Sequence, residues 1–151
     1  MKPEETVDFY IKTAWHAISR MYNQKGAEEG LTTSIGFVLI NINSHDGTPA
    51  TKIAPLMGLE SRSLTRMLKS MEEKGLICRK PDSTDKRSVR IFLTAKGKRK
   101  KEISIQTIKE FNEAIQGQLS KKELDHFFKV FHKINQVIEQ QQSELISPND
   151  V

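Results

Sequence analysis

One cysteine, one tryptophan and two tyrosines are all that the 151 residues contain of those types. A lone Cys78 cannot build a disulfide framework, which fits a reducing compartment. No apolar run approaches the length of about 18 residues that a membrane-spanning helix requires. The opening residues MKPEETVDFY carry neither the apolar stretch nor the small-residue cleavage site of a secretory signal. The expectation is therefore a cytoplasmic protein with no membrane partner. Enzymatic signatures are missing as well: there is no phosphate-cradling glycine loop, no nucleophile motif and no metal-ligand spacing. His16, His45, His126 and His132 are scattered, and the last two, six apart, do not share a helix face. Neither catalysis, a metal nor a cofactor is expected.

Positive charge is what the chain does have, and it is concentrated. The formal net charge is +5, yet from Arg62 to Lys101 fourteen Lys or Arg stand against Glu72, Glu73, Asp82 and Asp85. That segment is +10 and the remainder is −5. Such a distribution suits either a polyanion-binding module on an acidic scaffold or a merely solvated lysine-rich surface. With 36% hydrophobic and 28% charged residues, residues 1–151 read as one helix-rich domain.

Hydrophobic spacing orders the elements. Val7, Ile11, Ala14, Trp15, Ile18, Met21 and Tyr22 recur at threes and fours, predicting a helix from about Pro3 to Gln24. Thr32 or Thr33 can cap a second helix with Ile35, Val38, Leu39 and Ile42 on one side. Thr48 and Pro49 suit the cap and first position of a short third helix that turns Ile53, Leu56 and Met57 inward, although Pro55 threatens to kink it. After Gly58, Glu60 or Ser61 opens a fourth helix to about Lys74, with Leu64, Leu68 and Met71 inward and Gly75 closing it. Two short helices around a glycine turn make a helix-turn-helix.

"LICRK" and "SVRIFLT" then flank the turn "PDSTD" as a β-hairpin, with Val89, Ile91 and Leu93 alternating against Arg90, Phe92 and Thr94. Thr94 can cap a fifth helix carrying Ile108, Phe111 and Ile115. Its first turn, "KGKRKK", opposes the helix macrodipole, so something outside the helix must justify it. Ser120 and Glu123 form a capping box for a last helix whose stripe includes Leu124, Phe127, Phe128, Phe131, Ile134 and Ile138. The tail "SPNDV" is expected to fray. The fold class is mainly α with a small β-hairpin wing: a winged helix-turn-helix flanked by terminal helices.

The second helix of such a unit fits the major groove. Arg62, Ser63, Arg66 and Lys69 lie on or beside its exposed side, and Ser61 and Thr65 at its start can bond phosphates or base edges. Arg66 is the candidate for guanine, because its fork matches O6 and N7 together. At the hairpin tip, Lys86, Arg87 and Arg90 can approach the sugar-phosphate backbone, one arginine reaching the minor groove. Asp85, an acid among bases, is expected to pair with a neighbouring arginine and fix its direction.

"GLESRSLTRMLKSMEEKGLI" followed by "DKRSVRIFLTAKG" resembles the recognition helix and wing of the MarR family, the multiple-antibiotic-resistance regulators. Asp85, Arg87, Leu93, Thr94 and Gly97 match the family's wing pattern, and Leu64, Thr65, Arg66, Gly75 and Leu76 match the preceding element. The resemblance implies a homodimer that binds double-stranded DNA at a pseudo-palindromic operator, as a repressor or less often an activator. It divides the chain into a DNA-binding lobe at about residues 32–97 and dimerisation helices at about 3–24 and 98–145. The apolar stripes agree, since the terminal helices carry more of them than one small wing domain covers. A two-fold axis sets half-sites roughly 34 Å apart. Ile108, Phe111, Phe127, Phe128 and Phe131 are divided between dimer interface and intrachain core.

Many family members also bind small phenolic or other lipophilic anions in a crevice between the two regions. Trp15, His16 and Arg20 could line one, against the plainer reading of Trp15 as core. Redox-sensing relatives carry a reactive cysteine in the N-terminal helical region, where this chain has none, and Cys78 reads as a small buried hydrophobe. Two alternatives remain open: a winged helix used for protein contacts, and a non-specific DNA-binding protein without an effector.

Overall fold

The computed structural model describes residues 1–146; the expected fraying of "SPNDV" lies outside the described residues. After a 3-10 turn at Pro3–Glu5, α1 runs Val7–Gly26, with the Thr6 hydroxyl accepting the Phe9 N–H. Then follow α2 (Thr33–Ile40), β1 (Thr48–Pro49), α3 (Ala50–Met57), α4 (Ser61–Glu73), β2 (Ile77–Pro81), β3 (Val89–Leu93), α5 (Ala95–Gln116) and α6 (Lys121–Ile146). The chain divides into two compact units, Met1–Ile108 and a second beginning at Lys109, the boundary falling inside α5.

The first unit holds the core. Val38, Leu39, Ile42, Ile53, Met71 and Ile91 are fully buried, joined by Leu64, Leu68, Leu76, Ile77 and Leu93. Each such side chain contributes about 1.5–3 kcal/mol by leaving water. Thr32 caps α2, its hydroxyl accepting the Ile35 N–H at 3.2 Å. Thr33 binds α2 to α1: its N–H donates to Asn23 Oδ1 (2.8 Å) and its hydroxyl to the Ser19 carbonyl (2.9 Å).

Three expectations need correction. Thr48 and Pro49 do not open α3; they form β1, which pairs antiparallel with β3 and makes a three-stranded sheet of order β1-β3-β2. Thr48 instead accepts the Asn43 N–H through its hydroxyl (2.9 Å), and Pro49 takes the cap position. Leu56 is 64% exposed, and Ala54 occupies the core place expected for it, because Ala50, Ile53, Ala54 and Met57 share the face that meets the core. Pro55 does not break α3. It deprives only the carbonyl of Thr51, and both residues are exposed, so water replaces the missing donor.

The turn chemistry follows the sequence. Gly58 (φ 63°) and Gly75 (φ 70°) adopt the left-handed conformation that ends α3 and α4. Thr94 donates its hydroxyl to the Gly75 carbonyl (2.7 Å) and accepts the Gly97 N–H (3.0 Å), so it closes one helix while opening the next.

In the second unit α6 begins with the capping box. Ser120 N–H and Oγ donate to Glu123 Oε2 (2.8 and 2.7 Å), and Glu123 N–H donates back to Ser120 Oγ (3.3 Å). These bonds hold the Glu123 carboxyl below its ordinary value. No described residue of α6 is buried. Phe127 (51% exposed) and Phe128 (63%) stand open, with Phe127 against the half-buried Phe131 at 4.6 Å between ring centres.

Candidate nucleic-acid interface

On α4 the buried positions Leu64, Leu68 and Met71 define the inner face. Arg62, Arg66 and Lys69, spaced four and three apart, fall on the opposite side and are exposed. Ser61 and Ser63 are exposed beside them. Thr65 is exposed too, but its hydroxyl donates to the Ser61 carbonyl (2.9 Å), so toward a base edge it can only accept. Among the described residues none of these three cations has an ion-pair partner. The C-terminal end of α4 is tied to β2, where the Arg79 guanidinium meets Glu72 Oε2 at 2.7–2.8 Å.

The hairpin pairs Ile77 with Leu93 through Pro81 with Val89, leaving residues 82–88 as its tip. Lys86 and Arg87 are exposed there, and neither has an ion-pair partner among the described residues. Asp85 does not hold an arginine side chain as expected. Its Oδ1 accepts the backbone N–H of Arg87 (3.0 Å) and its Oδ2 the Ser88 hydroxyl (3.4 Å), so it shapes the turn. The acid that does hold an arginine is Asp82, which sequence reasoning passed over as an ordinary turn residue.

Asp82 is only 4% exposed. Its Oδ1 accepts the Thr84 hydroxyl (2.6 Å) and N–H (2.9 Å), and its Oδ2 accepts Arg90 Nε at 3.0 Å. The Thr84 bonds above all, with Arg90 and the Asp85 N–H adding, hold its carboxyl far below the usual carboxylate range. The signal that could have found this pair was hairpin register: Lys80 lies opposite Arg90, which puts Asp82 diagonally beside it.

The basic start of α5 has an internal explanation. Lys96 Nζ donates to the Lys74 carbonyl at the end of α4 (2.9 Å) and Lys101 Nζ to the Ile42 carbonyl just beyond α2 (2.6 Å). Lys100 Nζ pairs with Glu29 at 2.7 Å. Cations placed badly for their own helix thus satisfy the carbonyl ends of others. Lys98 and Arg99 stay exposed.

Trp15 is not core: it is 47% exposed. With its ring 5.8 Å from Phe37, it lines a cavity of about 330 Å³ together with Asn41, Leu56, Met57 and Leu59, while Thr33 and Ser34 add hydroxyls. His16 and Arg20 are not among the lining residues. Cys78 is half-buried on β2. No group of His, Cys, Asp and Glu among the described residues is arranged to hold a metal, and no described helix is long and apolar enough to cross a membrane.

An exposed, cation-bearing helix set behind a glycine turn and beside a basic-tipped hairpin defines the winged helix-turn-helix class of DNA-binding proteins. Comparison with known proteins narrows that class. A profile of the MarR family matches residues 31–89. The chain is 31% identical over 105 residues to the organic hydroperoxide resistance transcriptional regulator of Bacillus subtilis, covering 70% of this chain and 71% of that protein. To the HTH-type transcriptional regulator TtmR of Methylorubrum extorquens it is 36% identical over 90 residues, which are 60% of this chain and about half (46%) of that relative. Among solved structures, the Staphylococcus aureus MepR–DNA complex superposes with a TM-score of 0.81 at 23% identity, covering 87% of this chain and 98% of that one. The transcriptional regulator SlyA gives 0.79 at 24%, covering 90% and 96%. The chain belongs to the MarR family and is a DNA-binding transcriptional regulator.

Proposed function

We propose that the protein acts in the cytoplasm as a homodimeric repressor that reads an inverted repeat, with α4 in the major groove and the hairpin tip on the flanking backbone. The observation that carries this reading is the set of five cations on two surfaces, Arg62, Arg66 and Lys69 on α4 and Lys86 and Arg87 at the tip, left exposed without ion-pair partners among the described residues while Lys96, Lys100 and Lys101 at the start of α5 are engaged within the chain. Arg66 reads a guanine, and Ser61, Ser63 and Thr65 contribute phosphate or base-edge contacts. A second copy covers Phe127, Phe128 and the rest of the α6 stripe, together with part of Ile108, Phe111 and Phe131. The solved MepR and CouR structures bound to DNA show that chains of this fold bind duplex.

Selection of bound duplexes from a random pool at physiological salt tests the proposal, because specific sites exceed non-specific ones by about 10³ or more in affinity. An enriched inverted repeat is expected. Binding without enrichment, abolished as salt rises, would replace it with a non-specific or protein-binding role.

The cavity beside Trp15 favours an effector as well. Its lining residues include no lysine, arginine or histidine, so an anion would find no cationic partner there. The lining suits best an uncharged lipophilic molecule, such as a neutral phenol, with a hydrogen-bonding group for Asn41, Thr33 or Ser34. Trp15 is the sole tryptophan, so its fluorescence reports occupancy directly. Neutral aromatic compounds are expected to change that emission and lower operator affinity, whereas their carboxylate analogues are not.

A further inference from the structure

Arg90 was expected at the DNA, but its guanidinium faces into the protein. Nε donates to Asp82 Oδ2 (3.0 Å), and Nη1 donates to the carbonyl of Asp46 (3.0 Å) and, more weakly, of Gly47 (3.4 Å). Asp46 and Gly47 belong to the turn that leads from α2 into β1. Asp82 stands at the other end of the network, where its second oxygen gathers Thr84 and Asp85. The Asp82 N–H and the Ser88 carbonyl close the loop at 2.9 Å. One side chain therefore bridges the lobe's body to the turn that presents Lys86 and Arg87.

Beyond its short pairing with β1 the β2–β3 hairpin is a two-stranded ribbon that bends easily on its own, and a tip whose direction is set beforehand binds DNA at a lower ordering cost. We propose that Arg90 and Asp82 form a brace that aims the wing: both are positioning residues, and Arg90 does not itself touch DNA. The brace rests on the DNA-binding reading of Lys86 and Arg87. It depends on fork geometry, since only a guanidinium presents Nε to a carboxylate and Nη1 to a carbonyl at once. It also depends on the carboxylate, although an acid near phosphates opposes DNA on simple electrostatics.

These two features give predictions of unusual sign. Arg90→Lys keeps the charge and loses the fork. Asp82→Asn removes a negative charge from the DNA-binding face and loses the grip on Arg90. The duplex recovered from the random pool is the probe, with full-length protein assayed well below its melting temperature and its helical content checked by circular dichroism. Both variants are expected to bind about 5- to 50-fold more weakly. The slope of log affinity against log salt stays at its wild-type value in both, because no phosphate contact has been deleted. The double variant binds no more weakly than the poorer single one. Amide exchange at Thr84, Asp85 and Arg87 quickens in Arg90→Lys while exchange in α2 and α4 does not, which a general loss of stability would not produce.

Wild-type affinity in Arg90→Lys, or tighter binding in Asp82→Asn, overturns the brace. Arg87→Ala, measured alongside, keeps the two readings apart. If it alone loses affinity the brace is wrong and the wing contact stands. If it too binds as wild type, the wing contact itself is wrong.

Discussion

Arg66 and Arg87 are both exposed and both without ion-pair partners among the described residues, yet their settings give them different work. Arg66 projects from a helix face sized for the major groove, so Arg66→Ala should cost about 1–3 kcal/mol and relax preference at one base pair per half-site. Arg87 sits at a hairpin tip, where the proposed contact is with the sugar-phosphate backbone, so Arg87→Ala should weaken all duplexes alike and lower the salt slope by about one. Binding to a panel of single-substitution operators across a salt series distinguishes the two. Asp82 adds a pH dependence. Its folded carboxyl lies below the ordinary value, so the stability it contributes is present above the unfolded value of about 4 and is lost as pH falls below it. Thermal melts should show the gap between wild type and Asp82→Asn closing as pH drops from neutrality through that range. At this scale the sequence was partly legible. Exposure of cations on α4 follows from helical period, whereas Arg87 and Arg90, three apart in one basic run, look equivalent until strand register gives one of them a buried acid.

Elements whose ends carry capping chemistry were readable in advance. The Ser120–Glu123 box, the Thr32 cap and the glycines ending α3 and α4 all stand where local chemistry puts them. Ser120→Ala is expected to lower stability by about 1 kcal/mol through loss of the cap, measured by denaturant melts with m unchanged. β1 was not readable, because two residues carry no alternation and Thr-Pro is also a good helix start; pairing with β3, a tertiary event, decides the case. The lysines of α5 were legible as an anomaly but not as a solution, since their acceptors lie far away in sequence at Glu29, Ile42 and Lys74. Gly97 belongs to the same junction. A Cβ there would overlap the Leu76 carbonyl, so Gly97→Ala should force α5 away from the end of α4 and cost on the order of 1–3 kcal/mol. Thermal melts of that variant, with operator binding assayed in parallel, check the expectation.

For the whole molecule, the unanswered demand in a single chain is the apolar surface of α6. Phe127 and Phe128 are exposed enough that replacing either with glutamate leaves the chain's own core untouched. In the proposed dimer each replacement is expected to raise the dissociation constant by roughly tenfold or more, and sedimentation velocity would register the shift toward monomer. Operator binding should fall with it, because one lobe reaches only half of an inverted repeat. The bonds that Lys96, Lys100 and Lys101 make within the chain have a consequence at the scale of a chromosome. A regulator finds its target by repeated chance landings on other DNA, and how long each landing lasts depends on how many cations can reach phosphate. Lys96, Lys100 and Lys101 are already occupied. A protein so arranged is expected to leave wrong sequences sooner than its nominal charge suggests, and so to visit many separate stretches of the genome in the time a stickier chain would take to comb through one.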